Sequence, residues 1–191
     1  MVNEKKLVVL SGPSGCGKDT VLKELKKIRK DITNSISFTT RSPREGEKDG
    51  VNYYFITKED FRTRLEAGRV LEYNEYAGNI YGTPKDELEK MLSTGKTVIM
   101  VIDVHGGANV KKAYPGCMLA FLLPPSLEEL ERRIRDRGLN SEEDIRKRLR
   151  IAQDEISCAE NYDMQFINAD LNDCVKQIST AIDKWQSKKG I

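Results

Sequence analysis

Gly12-Pro13-Ser14-Gly15-Cys16-Gly17-Lys18 satisfies the pattern G-x-x-x-x-G-K. It follows a continuous apolar run at residues 7–10, which reads as a buried parallel strand. It precedes a segment at 20–30 in which Val21, Leu22, Leu25 and Ile28 fall at helical spacing. Strand, glycine loop and helix together open a βαβ unit. Glycines in such a loop let successive backbone N–H groups turn inward around a phosphate, and the helix N-terminus adds partial positive charge. Lys18 then reaches the β- and γ-phosphates of a triphosphate. A glycine-rich turn with an incidental lysine is the bland alternative, and the matching strand and helix weigh against it.

Working outward, residues 98–102 and 118–123 read as two more buried strands and 166–167 as a shorter fourth. Val175, Ile178, Ile182 and Trp185 share one helical stripe, which predicts a C-terminal helix packed on the sheet. Residues 34–95 differ in character, with short strands expected around 35–39, 53–56 and 70–76. Thr57 with Asp60 resembles a capping box, and Thr83-Pro84 reads as a cap and first-turn proline for a helix closing at Gly95. Residues 126–157 are rich in arginine. Ser126 with Glu129 reads as another capping box, and Ser141 opens a helix toward Asp154.

The 191 residues suit one domain, and 38% hydrophobic with 32% charged residues suits a globular chain. With 32 basic and 30 acidic residues the net charge is +2, so a bulk nucleic-acid surface is excluded and any anion site is local. No apolar run approaches the roughly eighteen residues of a membrane span, and the N-terminus lacks a signal-peptide pattern. Cys16, Cys117, Cys158 and Cys174 are scattered without metal spacing and read as free thiols, so the expected location is cytoplasmic. Monomer and homo-oligomer stay equally open.

The residue after the P-loop lysine is usually Ser or Thr, to ligate Mg²⁺; here Asp19 stands there, followed by Thr20. Three readings compete. Asp19 binds Mg²⁺ directly or through water, Thr20 supplies the hydroxyl, or Asp19 merely caps the helix, where an acid is favoured. A metal-linked role for Asp19 is preferred. Cys16 sits at a helix N-terminus, where thiol pKa values tend to fall, although a small space-filling residue is the commoner case.

The stretch from Ser37 through Thr39, Arg41, Arg44, Gly50 and Tyr53 to Phe55 resembles the guanylate kinase signature. So do Glu72, the run Gly78-Asn-Ile-Tyr81-Gly82-Thr83, Pro124-Pro125-Ser126-Leu127, the arginine-rich stretch and Asn168-Ala-Asp170. The resemblance covers essentially the whole chain. It implies an α/β fold of P-loop NTPase type: a parallel-sheet core flanked by helices at 1–33, 96–125 and 158–191, a GMP-binding insertion at 34–95 and a helical lid at 126–157. It also implies transfer of the ATP γ-phosphoryl to GMP, with dGMP a fitting second substrate and Mg²⁺ as cofactor.

By that resemblance, Ser37, Arg41, Arg44, Tyr53, Glu72, Tyr81, Thr83 and Asp103 hold GMP. Gly12 to Lys18, Asp19, Thr20, Arg133, Arg137, Asn168 and Asp170 hold ATP, and Lys18, Arg41, Arg137 and Arg148 carry the catalysis. The chemistry agrees. Arg41 and Arg44 can fork onto phosphate oxygens, as lysines do less well, and Tyr53 and Tyr81 can donate to the same group. Glu72 can accept from guanine N1–H and N2–H₂, which adenine cannot offer, while Ser37 and Thr83 hydroxyls suit O6. Arginines on a mobile lid balance the charge of the transferring phosphoryl.

A second departure, after Asp19, lies in the strand at 98–102, which carries Val101 where the family usually has an acid, two residues before Asp103. Asp19 is expected to compensate for that missing carboxylate. His105, the only histidine, reads as structural or peripheral, and Arg132, Arg146 and Arg150 as solvated helix face. Two rivals remain: another small-molecule kinase such as a ribose-bisphosphate kinase, which would not need Glu72, Tyr81 and Thr83, and a catalytically silent module that binds phosphoproteins.

Overall fold

The computed structural model describes residues 3–76, 78–136 and 141–187. Along the chain it forms β1 (Leu7–Ser11), α1 (Lys18–Ile28), β2 (Ile32–Asn34), β3 (Phe38–Thr39), β4 (Tyr54–Phe55), α2 (Lys58–Glu66), β5 (Val70–Tyr76), β6 (Asn79–Pro84) and α3 (Lys85–Ser93). Then follow β7 (Thr97–Val101), α4 (Val104–Ala113), β8 (Met118–Leu123), α5 (Leu127–Arg135), α6 (Glu142–Ser157), β9 (Met164–Ile167) and α7 (Leu171–Ser187).

The main sheet has order β2-β7-β1-β8-β9, and every pairing in it is parallel. All five residues of β1 are buried, because helices cover both faces. The two-residue strand period sorts them. Val8 and Leu10 join Val21 and Leu25 of α1 and Val175, Ile178 and Ile182 of α7 on one face. Leu7 and Val9 join Leu88 and Leu92 of α3 and Val110 of α4 on the other. Each such side chain contributes roughly 1.5–3 kcal/mol by leaving water.

The second sheet has order β4-β3-β6-β5 and is mixed. The strand expected at 35–39 shortens to β3 at Phe38–Thr39, and β2 before it is a separate strand that the sequence does not announce. β2 ends at Asn34 in the main sheet, the Ser35 N–H donates to the Ile99 carbonyl, and β3 begins at Phe38 in the second sheet. Strand β6 was not expected, since Gly82 and Pro84 disguise it; Gly82 is needed because a Cβ there would lie 2.8 Å from the Phe38 ring and the Glu72 carbonyl. Thr83 therefore does not cap a helix. It is a strand residue, Pro84 precedes the first turn of α3, and no side chain caps that helix. Helix α3, which the sequence groups with the insertion, packs its Leu88 and Leu92 under the main sheet.

The expected capping boxes at Thr57–Asp60 and Ser141–Asp144 form. At Ser126 only half forms: the Ser126 hydroxyl accepts from the Glu129 N–H, while the Glu129 carboxylate turns to Arg132 and Arg133. Helix α1 starts at Lys18 rather than Thr20 and ends at Ile28, where the Arg29 backbone turns extended and its guanidinium reaches Asp31, Asp183 and the Ser179 carbonyl.

Candidate functional site

The loop from Gly12 to Gly17 joins β1 to α1, with Gly17 as N-cap at φ +101°, a backbone state that glycine adopts without strain. Lys18, the first helical residue, folds its ammonium back over the loop and donates to the Gly12 carbonyl at 2.6 Å and the Pro13 carbonyl at 3.1 Å. Pro13 and Gly12 are buried, while Ser14 is exposed at the loop's crest. Cys16 is fully buried, and burial raises its thiol pKa against the opposing pull of Lys18, so the thiol fills space and the helix terminus does not activate it.

Asp19 lies exposed in the first turn of α1, and no side chain caps that helix. Its charge is felt across the cleft by Tyr53, whose pKa is raised by burial first and by Asp19 second. Thr20 is exposed beside it. Val101, at the end of β7, packs against the apolar cluster of Val8, Leu10 and Leu122.

Across the cleft, Arg41 donates to Glu47 at 2.9 Å and lies 5.6 Å from the Tyr53 ring centre and 5.8 Å from that of Phe55. Tyr53 and Tyr81 meet edge to face at 5.9 Å. The other Glu47 oxygen accepts from the Arg44 backbone N–H at 2.7 Å, and the Arg44 side chain is exposed. The Arg41 Nε is buried without a partner. Ser37 is half-buried where β3 begins, its carbonyl accepting from the Tyr54 N–H.

Glu72 on β5 is 7% exposed, and its Oε1 accepts from the Thr83 hydroxyl at 2.6 Å. Burial, opposed by that hydrogen bond and aided by the charge of Asp103, lifts its carboxyl to about 6. Two residues on, the Asn74 amide donates to Asp103 Oδ2 at 2.7 Å. Asp103 Oδ1 caps α4 by accepting from the Gly106 N–H at 2.8 Å. Glu72 and Asn74, two residues apart on β5, thus both face the start of α4, as the strand period dictates.

The remaining expected residues are scattered. Arg133 on α5 points to the back of the phosphate loop, where it donates to the Cys16 and Asn168 carbonyls. Asn168 is 6% exposed and donates to the Cys16 carbonyl as well. Asp170 is exposed, and its Oδ1 accepts from the Asp173 N–H in the first turn of α7. Arg148 is half-buried on α6, close enough to Asp144 to lower that carboxyl. Arg137 lies outside the described residues. Arg132 is spent on surface pairs with Glu129 and Asp136, and His105 is exposed on α4.

Four site residues had no sequence signal of their own: Glu47, Asn74, Glu155 and Tyr162. Glu155 follows Ala152 by one turn on the buried stripe of α6. Burial raises its carboxyl pKa, opposed by Lys18 and the Ser14 backbone N–H, so a carboxylate of α6 borders the phosphate loop. Helix α4 has no sequence signal of its own because Gly106-Gly107 break its apolar period. Both positions are tight: a Cβ at Gly106 would lie 2.7 Å from Glu72 Oε2, and one at Gly107 would lie 2.7 Å from the Tyr162 hydroxyl.

A parallel sheet with a phosphate loop at its centre, facing a cleft of arginine, tyrosines and a buried carboxylate, defines a P-loop nucleotide-binding protein. Comparisons narrow that class. The guanylate kinase family model matches residues 4–185. The chain is 46% identical over 178 residues to a guanylate kinase of Prochlorococcus marinus, covering 93% of this chain and 97% of that one. It is 46% identical over 180 residues to one from Clostridium perfringens, with 94% and 83% covered. The guanylate kinase structure from Anaplasma phagocytophilum superposes with a TM-score of 0.78 at 34% identity, over 96% of this chain and 87% of that one. Shikimate kinase from Bacteroides thetaiotaomicron, at 15% identity and a TM-score of 0.51, shares the fold alone. The chain belongs to the guanylate kinase family.

Proposed function

We propose that this chain transfers the γ-phosphoryl of ATP to GMP, giving ADP and GDP. The observation that carries the reading is the Glu72 carboxylate, buried on β5, fixed by the Thr83 hydroxyl and seated against Gly106. With its carboxyl near 6 it is largely ionised at neutral pH. It then accepts from guanine N1–H and N2–H₂, each charge-assisted bond contributing roughly 1.5–3 kcal/mol. Thr83, already donating to Glu72, acts as its positioning partner, which leaves the Ser37 hydroxyl for O6.

Arg41, Arg44, Tyr53 and Tyr81 bind the GMP phosphate. Arg41 is preorganised by its stack on Tyr53 and Phe55, and its planar fork suits a phosphate better than an ammonium does. Asp103 holds the guanine side of the cleft to α4. On the other side the loop from Gly12 to Lys18 holds the ATP phosphates, with Arg133, Asn168 and Asp170 toward the adenine. A GMP phosphate oxygen attacks in line, no protein nucleophile intervenes, and Lys18, Arg41, Arg137 and Arg148 balance the charge on the transferring group. The working division is a core at 1–33, 96–125 and 158–191, a GMP-binding part at 34–95 and a lid at 126–157.

Among the described residues no three His, Cys, Asp or Glu cluster as a metal cage. That suits Mg²⁺, which keeps several waters and takes substrate phosphates with one or two protein ligands. Asp19, exposed beside the loop and facing Tyr53, or Thr20 would hold it, and it would neutralise charge between the β- and γ-phosphates. No helix among the described residues is long and apolar enough to cross a membrane, in keeping with a cytoplasmic enzyme.

The test is a coupled assay of ADP release with GMP, dGMP and AMP. GMP and dGMP are expected to turn over and AMP to fail. Turnover of AMP or of a sugar phosphate in preference to GMP would overturn the base assignment. Binding of GMP or a phosphopeptide without turnover would favour the silent module.

A further inference from the structure

We propose that Arg133 and Asn168 position the phosphate loop itself, by turning the peptide between Cys16 and Gly17 so that its N–H faces a phosphate oxygen. The proposal rests on the loop's being a triphosphate site. The Cys16 carbonyl receives two donors from separate parts of the chain: the Asn168 amide at 2.9 Å, from just past β9, and the Arg133 Nη1 at 3.3 Å, from α5. The peptide unit is planar and trans, so its C=O and N–H point in opposite directions. Holding the Cys16 oxygen toward Arg133 and Asn168 therefore aims the Gly17 N–H the other way, into the concave side of the loop.

The surroundings fit a built clamp. The other two guanidinium nitrogens of Arg133 bond the same assembly, with Nη2 on the Asn168 carbonyl at 3.1 Å and Nε on Glu129 Oε1 at 2.8 Å. Asn168 is itself tied to β8, its N–H donating to the Leu123 carbonyl at 2.8 Å. The loop approaches so closely that a Cβ on Gly17 would lie 2.6 Å from the Asn168 amide nitrogen. Below Gly15, Leu130 and Ile134 of α5 lie at 3.2 Å from a Cβ position, so the helix carrying Arg133 is packed on the loop. Both residues are thus positioning residues for the triphosphate, whatever they also touch at the base.

A ligand that has the phosphates and lacks the base separates this role from adenine contact. Dissociation constants for ATP and for inorganic tripolyphosphate, each with Mg²⁺, would be measured by calorimetry for the parent, Asn168→Ala and Arg133→Lys. GMP affinity and melting temperature serve as controls. Both phosphate ligands are expected to weaken by a similar factor, on the order of tenfold, with GMP unchanged. Weakening of ATP with tripolyphosphate unaffected would reduce the pair to base contacts, and no weakening of either would overturn the proposal. If Asn168→Ala melts early, Arg133→Lys decides, since it keeps the charge and loses the paired geometry. A parent chain that binds tripolyphosphate but not GMP would sink the guanylate reading and leave this one standing.

Discussion

Glu72 Oε2 occupies the space that a side chain at Gly106 would need, only 2.7 Å from where its Cβ would stand. The carboxylate proposed to read guanine is therefore held by two distant parts of the chain, β5 and α4. Burial raises its pKa, and Thr83 and Gly106 hold it in one place.

That raised carboxyl sets a pH dependence. Protonated Glu72 no longer accepts from guanine, so KM for GMP is expected to climb about tenfold per pH unit below about 6. The KM for ATP should not follow it. Steady-state KM values for both substrates between pH 5 and 8 check this.

The same group links function to stability. Its folded pKa of about 6 lies above the ordinary 4.5, so the folded chain binds the proton more tightly. Its contribution to stability is present below 4.5 and is lost as pH rises to about 6, leaving a cost of about 2 kcal/mol for the ionised buried form. Glu72→Gln is expected to be more stable than the parent at pH 8 by up to that amount, with the gain vanishing toward pH 4.5. It should lose GMP affinity throughout. Urea denaturation at the two pH values, beside GMP titrations, tests the sign.

Gly106→Ala pushes a methyl group onto Glu72 Oε2 and is expected to cost about 1–3 kcal/mol of stability. GMP affinity should fall while ATP affinity holds, because the phosphate loop lies elsewhere. A helix-propensity argument alone would make this change favourable, so a rise in melting temperature would refute the packing account.

Asp19 and Val101 form a second test. Asp19→Ser with Val101→Asp should keep more activity, and need less Mg²⁺ for half-maximal rate, than Asp19→Ser alone. The supporting observation is that Asp19 is exposed with its charge reaching Tyr53, while Val101 packs against the apolar cluster. Equal loss in the two proteins would show that the carboxylates do not substitute for one another.

Glu155 borders Lys18 and the Ser14 N–H, where the proposed triphosphate would bring its charge. Glu155→Gln is expected to tighten ATP several-fold by removing a like charge from a half-buried site. Fluorescence titration at two salt concentrations measures it, and weaker binding would assign Glu155 a supporting role instead.

Much of this site was legible beforehand for physical reasons. The phosphate loop is local: its glycines, its lysine and the flanking strand and helix follow one another without a break between Leu7 and Ile28, so spacing alone declares it. Glu72, Arg41, Tyr53 and Tyr81 came from an ordered likeness to a family, and the structure gathers Arg41, Tyr53 and Tyr81 on one wall. Strand β6 and helix α4 were hidden because Gly82, Gly106 and Gly107 break the apolar period that marks an element.

By itself, then, the sequence determined the α/β class, the parallel core and the anion loop, since period and spacing are properties of neighbouring residues. Only the tertiary structure decided what the side chains do. It turned Arg133 to the loop carbonyl of Cys16, set Thr83 against Glu72, buried Cys16 and tied Asn74 to Asp103. Those pairings join residues 11 to 117 positions apart, and burial and hydrogen-bond geometry at such separations exist only once the chain has closed on itself.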